Sequence, residues 1–259
     1  PKYHGDSGHL MWFLPTNCSS YSFISCMFTG YAPAHVFPNS ARFDENTNSI
    51  FVFGDYNTER QAQSNNTSDS IFGLPNPPTN EFSAFFIWQI GTDGTPMSIA
   101  SYDHVFNNVA GQPTNRLGSS SMLVDGSDLY IRFNGKTQLV LAAGDTLNVS
   151  QSSVLGTNRN NSALLKTSVN ATDQITAAVA FNSDQESLFT GMDDYGDHLF
   201  VTARSRAPAT FEHPTAPFTV ETENYAGPMD PPNYKLDGFI WQLNKSDLSL
   251  VDSFRTNGP

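Results

Sequence analysis

Six histidines, two cysteines and 25 carboxylates are the groups of this 259-residue chain that could do chemistry. His4, His9, His35, His104, His198 and His213 form no i, i+4 pair and no cluster with cysteine, so each reads as an ordinary surface or loop residue. No Gly-x-Ser-x-Gly elbow occurs, and no Gly-rich phosphate loop opens a helix. Glycoside hydrolysis needs two carboxylates at a set separation, and nothing in the sequence selects a pair. No residue is therefore assigned a catalytic role. The turn DENTNS (44–49) supplies one cation candidate, because Asp44, Asn46 and Asn48 alternate oxygen ligands as a calcium loop does. It lacks the following Gly and the bidentate Glu. Asp193, Asp194 and Asp197 form a second acidic turn. The competing explanation for both is a hairpin turn whose Asp and Asn side chains bond their own backbone.

Asn-X-Ser/Thr sequons occur at Asn17, Asn65, Asn66, Asn148, Asn160, Asn170 and Asn244. They point to a secreted chain carrying N-linked glycans. A sequence rich in Asn, Ser and Thr also produces sequons by chance. Cys18 and Cys26 flank a short segment, and in a secreted chain an even cysteine count favours a bridge. A hairpin disulfide of that size contributes about 2–3 kcal/mol. The chain begins Pro-Lys-Tyr-His without an initiator Met, as a mature product or a piece of something longer would.

The elements that must position these residues follow a repeat. NPPTNEFSAFFIWQI (76–90) and DPPNYKLDGFIWQL (230–243) share a Pro-Pro opening and an Ile-Trp-Gln-Ile/Leu strand. Trp88 and Trp241 lie 153 residues apart, two periods of about 76. Stepping back 76 residues from Trp88 reaches Trp12, and stepping forward 78 reaches Lys166. The apolar runs IFVF (50–53), LYIR (129–132) and LFVT (199–202) each follow an acidic turn: DENTNS, DGSD (125–128) and DDYGDH (193–198). SFISCMF (22–28), PMSIASY (96–102), ITAAVAF (175–181) and LSLVDSF (248–254) complete the pattern. One unit is then strand A, tight turn, strand B, long loop, strand C, tight turn, strand D. The expected fold is all-β, in four-stranded antiparallel repeats of about 76 residues, β-propeller-like, with an incomplete first blade. The single repeat domain spans 1–259, divided into half a repeat (1–30) and three full ones (31–104, 105–182, 183–259). Residues 162–181 could also be read as a helix, but the repeat places a hairpin there. The three tryptophans are expected in blade-to-blade packing, with Lys166 meeting a different environment.

Residues 84–103 and above all DGFIWQLNKSDLSLVDSF (237–254) resemble the secreted β-propeller repeat family, in which an Asp-Gly-Phe-Val-x-x-Leu strand precedes a turn and a strand ending near Ser. The resemblance implies an extracellular β-propeller and no particular chemistry. The Pro-Pro openings and long B–C loops depart from it.

Composition sharpens the function class. Thirteen Lys and Arg against 25 acids give a net charge of -12, which leaves no basic surface for nucleic acid. No apolar run is long enough for a membrane-spanning helix. The loop 204–236 carries Arg204, Arg206 and His213 and no sequon, which marks it as an expected protein-contact loop. The chain is expected to be an extracellular glycoprotein with a structural or adhesive role, a subunit of a surface fibre or coat assembled by strand completion. Its partners are then copies of itself or other extracellular proteins, and its cofactors none beyond glycans and the calcium candidate. A carbohydrate-active propeller enzyme and a ligand-binding propeller ectodomain are the alternatives.

Overall fold

A computed structural model describes residues 3–4, 9–10, 35–57, 83–92, 96–103, 120–135, 137–150, 161–184, 187–206, 208–220 and 237–256. Every regular element among them is a β-strand, and all described pairings are antiparallel. The chain forms two compact units: Pro1–Leu117 with Asn170–Asp173, and Gly118–Val169 with Gln174–Pro259. The boundary at Leu117 falls inside the expected third repeat, just ahead of its first strand.

In the first unit, β1 (Tyr3–His4) and β2 (His9–Leu10) make a two-stranded pair. β3 (His35–Asp44), β4 (Ser49–Asn57), β5 (Ser83–Gly91) and β6 (Pro96–Asp103) form a four-stranded meander. Ser49 pairs with both Asp44 and Gly91, so the two tight turns share one end of the sheet. The inner strands are continuous apolar runs, as burial on both faces demands. Ile50, Phe51, Val52 and Phe53 on β4, and Phe85, Phe86, Ile87 and Trp88 on β5, are all buried. Each contributes roughly 1.5–3 kcal/mol of hydrophobic stabilisation. Phe85 stacks on its cross-strand partner Tyr102 with centroids 4.6 Å apart.

The second unit contains, in chain order, β7 (Ser120–Asp125), β8 (Asp128–Asn134), β9 (Thr137–Val140), β10 (Thr146–Val149), β11 (Ser162–Ser168), β12 (Ala171–Ser183, from Gln174 onward), β13 (Ser187–Tyr195), β14 (His198–Ser205), β15 (Ala209–Glu212), β16 (Phe218–Val220), β17 (Asp237–Asn244) and β18 (Leu250–Thr256). The middle sheet runs β16-β15-β12-β11-β8-β7 and the last sheet β13-β14-β17-β18. Each contains a four-stranded meander, β7-β8-β11-β12 and β13-β14-β17-β18, with a short pair of strands inserted in the chain between its second and third members. The hairpins β7–β8 and β13–β14 close through two-residue turns at Gly126 and Gly196, both at positive φ (57° and 58°) as such turns require. Residues 162–181 form the expected hairpin, turning at Val169–Asn170 rather than continuing as a helix.

Two expected loops contain strands. Thr137–Val149 is a hairpin whose alternating Leu139, Leu147 and Val149 are buried. The loop 204–236 contributes β15 and β16, which extend the middle sheet beyond β12. The cause is the alternation of Ala209 and Phe211 inward with Thr210 and Glu212 outward. Phe211 and Phe218 stack on each other at 4.7 Å and both meet Trp241.

Trp241 is the centre of the packing between the last and middle sheets. It is fully buried and meets Phe181 of β12 edge-on at 4.6 Å and Phe211 of β15 at 5.0 Å. Trp88 is equally buried. The equivalence with Lys166 is out by one residue. Trp88 lies opposite Val52, three residues in from the Ser49–Gly91 pair, and Trp241 opposite Val201, three in from His198–Asn244. Three in from Asp128–Ser168 stands Leu165, opposite Ile131. A slip of one residue changes the face of the sheet. Leu165 is buried at the tryptophan position, and Lys166 lies on the opposite face, where its ammonium reaches the Lys245 carbonyl of the last sheet.

Candidate functional site

The acidic turns do different jobs. Asp44 is 4% exposed and accepts four hydrogen bonds from its own turn. Its Oδ1 takes Asn46 N (3.2 Å) and Asn46 Nδ2 (3.3 Å), and its Oδ2 takes Thr47 N (3.1 Å) and Thr47 Oγ1 (2.5 Å). Burial pushes its pKa up, but the bonds from Thr47 and Asn46 outweigh this and hold it below the ordinary value. Asn48 sits at φ 48° and turns its amide away, donating to Thr92 Oγ1 at 3.0 Å. Asn46 and Asn48 thus direct their amide nitrogens to Asp44 and Thr92 respectively. Local bonding of Asp44 accounts for this turn.

The turns of the second unit form a bridge between its two sheets. Lys245, in the β17–β18 turn, places Nζ 2.6 Å from Asp125 Oδ2 and 2.7 Å from Asp194 Oδ2. Asp125 ends β7 and Asp194 lies near the end of β13, so one ammonium joins both A–B turns. Burial lowers the Lys245 pKa, and the hydrogen bonds to the two carboxylates more than reverse this, so it is raised overall. The Lys245 carbonyl accepts Lys166 Nζ at 2.8 Å and Tyr130 OH at 3.1 Å. Lys166 in turn pairs with Asp128 at 2.9 Å and lies 5.7 Å from the Tyr130 ring centroid. Burial, then the nearby Asp128 and Asp125 charges, push the Tyr130 phenol up. Two lysines and three aspartates thus tie the sheets together. Among the described residues, no group of three or more His, Cys, Asp and Glu is arranged to hold a metal.

His213, expected on a contact loop, is 7% exposed. Its Nδ1 accepts from Thr215 N, Thr215 Oγ1 and Ala216 N, each at 3.2 Å, and its Nε2 lies 2.9 Å from the Asp247 carbonyl oxygen. It fastens the β15–β16 hairpin to the β17–β18 turn. Arg204 lies on β14 opposite Gly238, and Arg206 follows that strand; both are half-buried.

At the other end of the second unit lies a buried network of small polar side chains that sequence reasoning missed. Ser162 Oγ contacts Asn134 Oδ1 (2.6 Å) and Ser187 O (3.1 Å) and accepts Phe189 N (2.8 Å). Asn161 donates to Ser150 Oγ (2.9 Å) and Ser183 O (3.0 Å) and accepts Ser187 N (3.1 Å). Polar residues adjoining buried strand ends were the available signal, but Asn and Ser at loop borders are too common to stand out.

The last sheet has one open face. On β17 and β14 every second residue is buried against the middle sheet, while the intervening residues are not. The outer face carries Ile240 (39% exposed) paired with Phe254 (53% exposed), flanked by Thr202 and half-buried Phe200. Its last strand, β18, is exposed from Val251 through Thr256 and pairs on one side only among the described residues. The signal was present: Ile240 is apolar where alternation around Trp241 calls for a polar residue.

Three sequons fall on described residues. Asn148 is exposed on β10, Asn170 is exposed in the β11–β12 turn, and Asn244 is half-buried at the end of β17. Asn17, Asn65, Asn66, Asn160, Trp12 and the cysteines Cys18 and Cys26 lie outside the described residues. The chain matches no protein-family model and no curated protein.

Proposed function

We propose that this chain is an extracellular, N-glycosylated structural or adhesive segment whose four-stranded meanders are successive blades of a propeller-like array, and that it assembles through the open face and edge of its last sheet. The observation that carries this is the contrast between sheets. Inner strands β4, β5 and β8 are buried on both faces, whereas Ile240 and Phe254 of the last sheet are uncovered beside a one-sided strand. An apolar sheet face with an open edge is an assembly surface. The occupant proposed is a second copy, because sheets of this chain are themselves of the kind that cover such faces.

Sedimentation velocity and negative-stain microscopy of the full chain test this. Concentration-dependent oligomers or fibres are expected, and Ile240→Lys with Phe254→Lys is expected to return the protein to monomers with an unchanged thermal midpoint. A wild-type protein that stays monomeric at about 100 μM, a concentration at which contacts worth roughly 5–6 kcal/mol form, sinks the proposal.

A further inference from the structure

The sequons differ in what the fold does with their amide nitrogens. Asn148 lies on the outward face of β10, between buried Leu147 and Val149. Its Oδ1 accepts Gln138 Nε2 from β9 at 3.1 Å, which fixes the side chain by its oxygen and leaves Nδ2 unengaged among the described residues. Its backbone carbonyl is held by Asn182 Nδ2 at 2.8 Å, and Asn182 Oδ1 accepts both Ser150 N (2.9 Å) and Ser150 Oγ (3.2 Å). Asn148 therefore stands on a firmly tied strand with its reactive atom toward solvent.

Asn244 is the reverse. Its Nδ2 donates to Ser249 Oγ at 2.8 Å, and that hydroxyl donates on to Asp247 Oδ1 at 2.7 Å. Its backbone closes the same turn, N to Ser249 O and O from Leu248 N, both at 2.9 Å. Nδ2 thus spends one of its two N–H groups on closing the β17–β18 turn, and the residue is half-buried there.

We infer that Asn148 is a glycan-bearing site of the folded protein and that Asn244 stays bare. The inference rests on the extracellular reading above. The donor is a lipid-pyrophosphate-linked oligosaccharide supplied by the secretory pathway. The bond formed joins Asn148 Nδ2 to the anomeric carbon, and the bond broken is that carbon's link to pyrophosphate oxygen. The oxygen leaves with the electron pair, and one Nδ2 proton passes to a base of the transferase.

Glycopeptide mass spectrometry of the full chain, recovered from the medium of a eukaryotic secretory host, tests it. Expected are high occupancy at Asn148 and none or little at Asn244. Asn148→Gln should shift the gel mobility by one glycan, and Ser246→Ala, which removes the other sequon without touching the turn's hydrogen bonds, should leave it unshifted. Occupancy at Asn244 equal to that at Asn148, or a bare Asn148 beside occupied sequons elsewhere, overturns the inference while the extracellular reading stands. A secreted protein with no occupied sequon overturns the inference and the glycoprotein reading together.

Discussion

Lys166 Nζ lies 2.8 Å from the backbone carbonyl oxygen of Lys245, so a lysine of the middle sheet donates to a turn of the last sheet. The Lys245 ammonium reaches back to Asp125 and Asp194 at 2.6 and 2.7 Å. Replacing Lys245 with Met leaves those carboxylates facing each other without a cation. Lys245→Met is expected to lower the urea midpoint by the equivalent of about 1–2 kcal/mol, since ion pairs this exposed contribute little beyond their hydrogen bonds. Adding Asp125→Asn and Asp194→Asn should recover part of the loss by relieving repulsion. An equal loss in the single and triple variants would assign the effect to the aliphatic stem instead.

Trp241 and Ile240 are neighbours in sequence and opposites in consequence. Trp241 is fully buried among Phe181, Phe189 and Phe211, and its Nε1 has no hydrogen-bond acceptor among the described residues. Trp241→Ala is expected to cost about 3–5 kcal/mol by denaturant titration, with Trp241→Phe well below that because no hydrogen bond is lost. Ile240→Lys should stay within about 0.5 kcal/mol of wild type. A large loss from Ile240→Lys would place that side chain in the core and reverse the register assigned to β17.

Strand order was readable because apolar runs of four residues behind Asp-rich turns have few other physical uses. The turns at 44–49, 125–128 and 193–198 all close hairpins in the structure. The Lys166 assignment failed because a period of about 76 locates a strand but not its face. Register depends on turn length, which is four residues after Asp44 and two after Asp125. The hairpins inside the long loops were obscured because strands of three or four residues, such as Phe218–Val220, contain too little alternation to rise above loop composition. The bridge at Lys245 was invisible for a different reason. Its partners lie 120 and 51 residues away, and only the packing of two sheets brings them together.

Ser162 makes a sharp test of the buried polar network. Its hydroxyl meets Asn134 Oδ1, Ser187 O and Phe189 N, and the residue is fully buried. Ser162→Ala strands those groups away from water, at a cost of about 1–3 kcal/mol for an unsatisfied buried group. Chemical denaturation should show that loss, with Ser162→Cys intermediate. A neutral Ser162→Ala would mean that water reaches this end of the sheet.

The pH profile should have two shoulders with opposite causes. Asp44 and Asp247 have folded pKa values below their ordinary 3.8. For Asp247, burial is outweighed chiefly by the Ser249 amide and hydroxyl. The folded state binds fewer protons than the unfolded state in this range, so their contribution is complete above 3.8 and lost as pH falls through the folded values. Lys245 and Tyr130 are raised above 10.5 and 10.0 respectively. The folded protein keeps those protons after the unfolded chain has released them, so this contribution is complete below 10.0 and lost as pH rises through the folded values. Thermal midpoints across pH 2–12 should therefore form a plateau with a fall at each end, over roughly the titration ranges of carboxylates and of Tyr and Lys. Asp44→Asn with Asp247→Asn should lower the plateau and flatten only the acid limb, while Lys245→Met with Tyr130→Phe should flatten only the alkaline limb. An acid limb of unchanged slope in the aspartate double variant would show that other carboxylates govern acid unfolding.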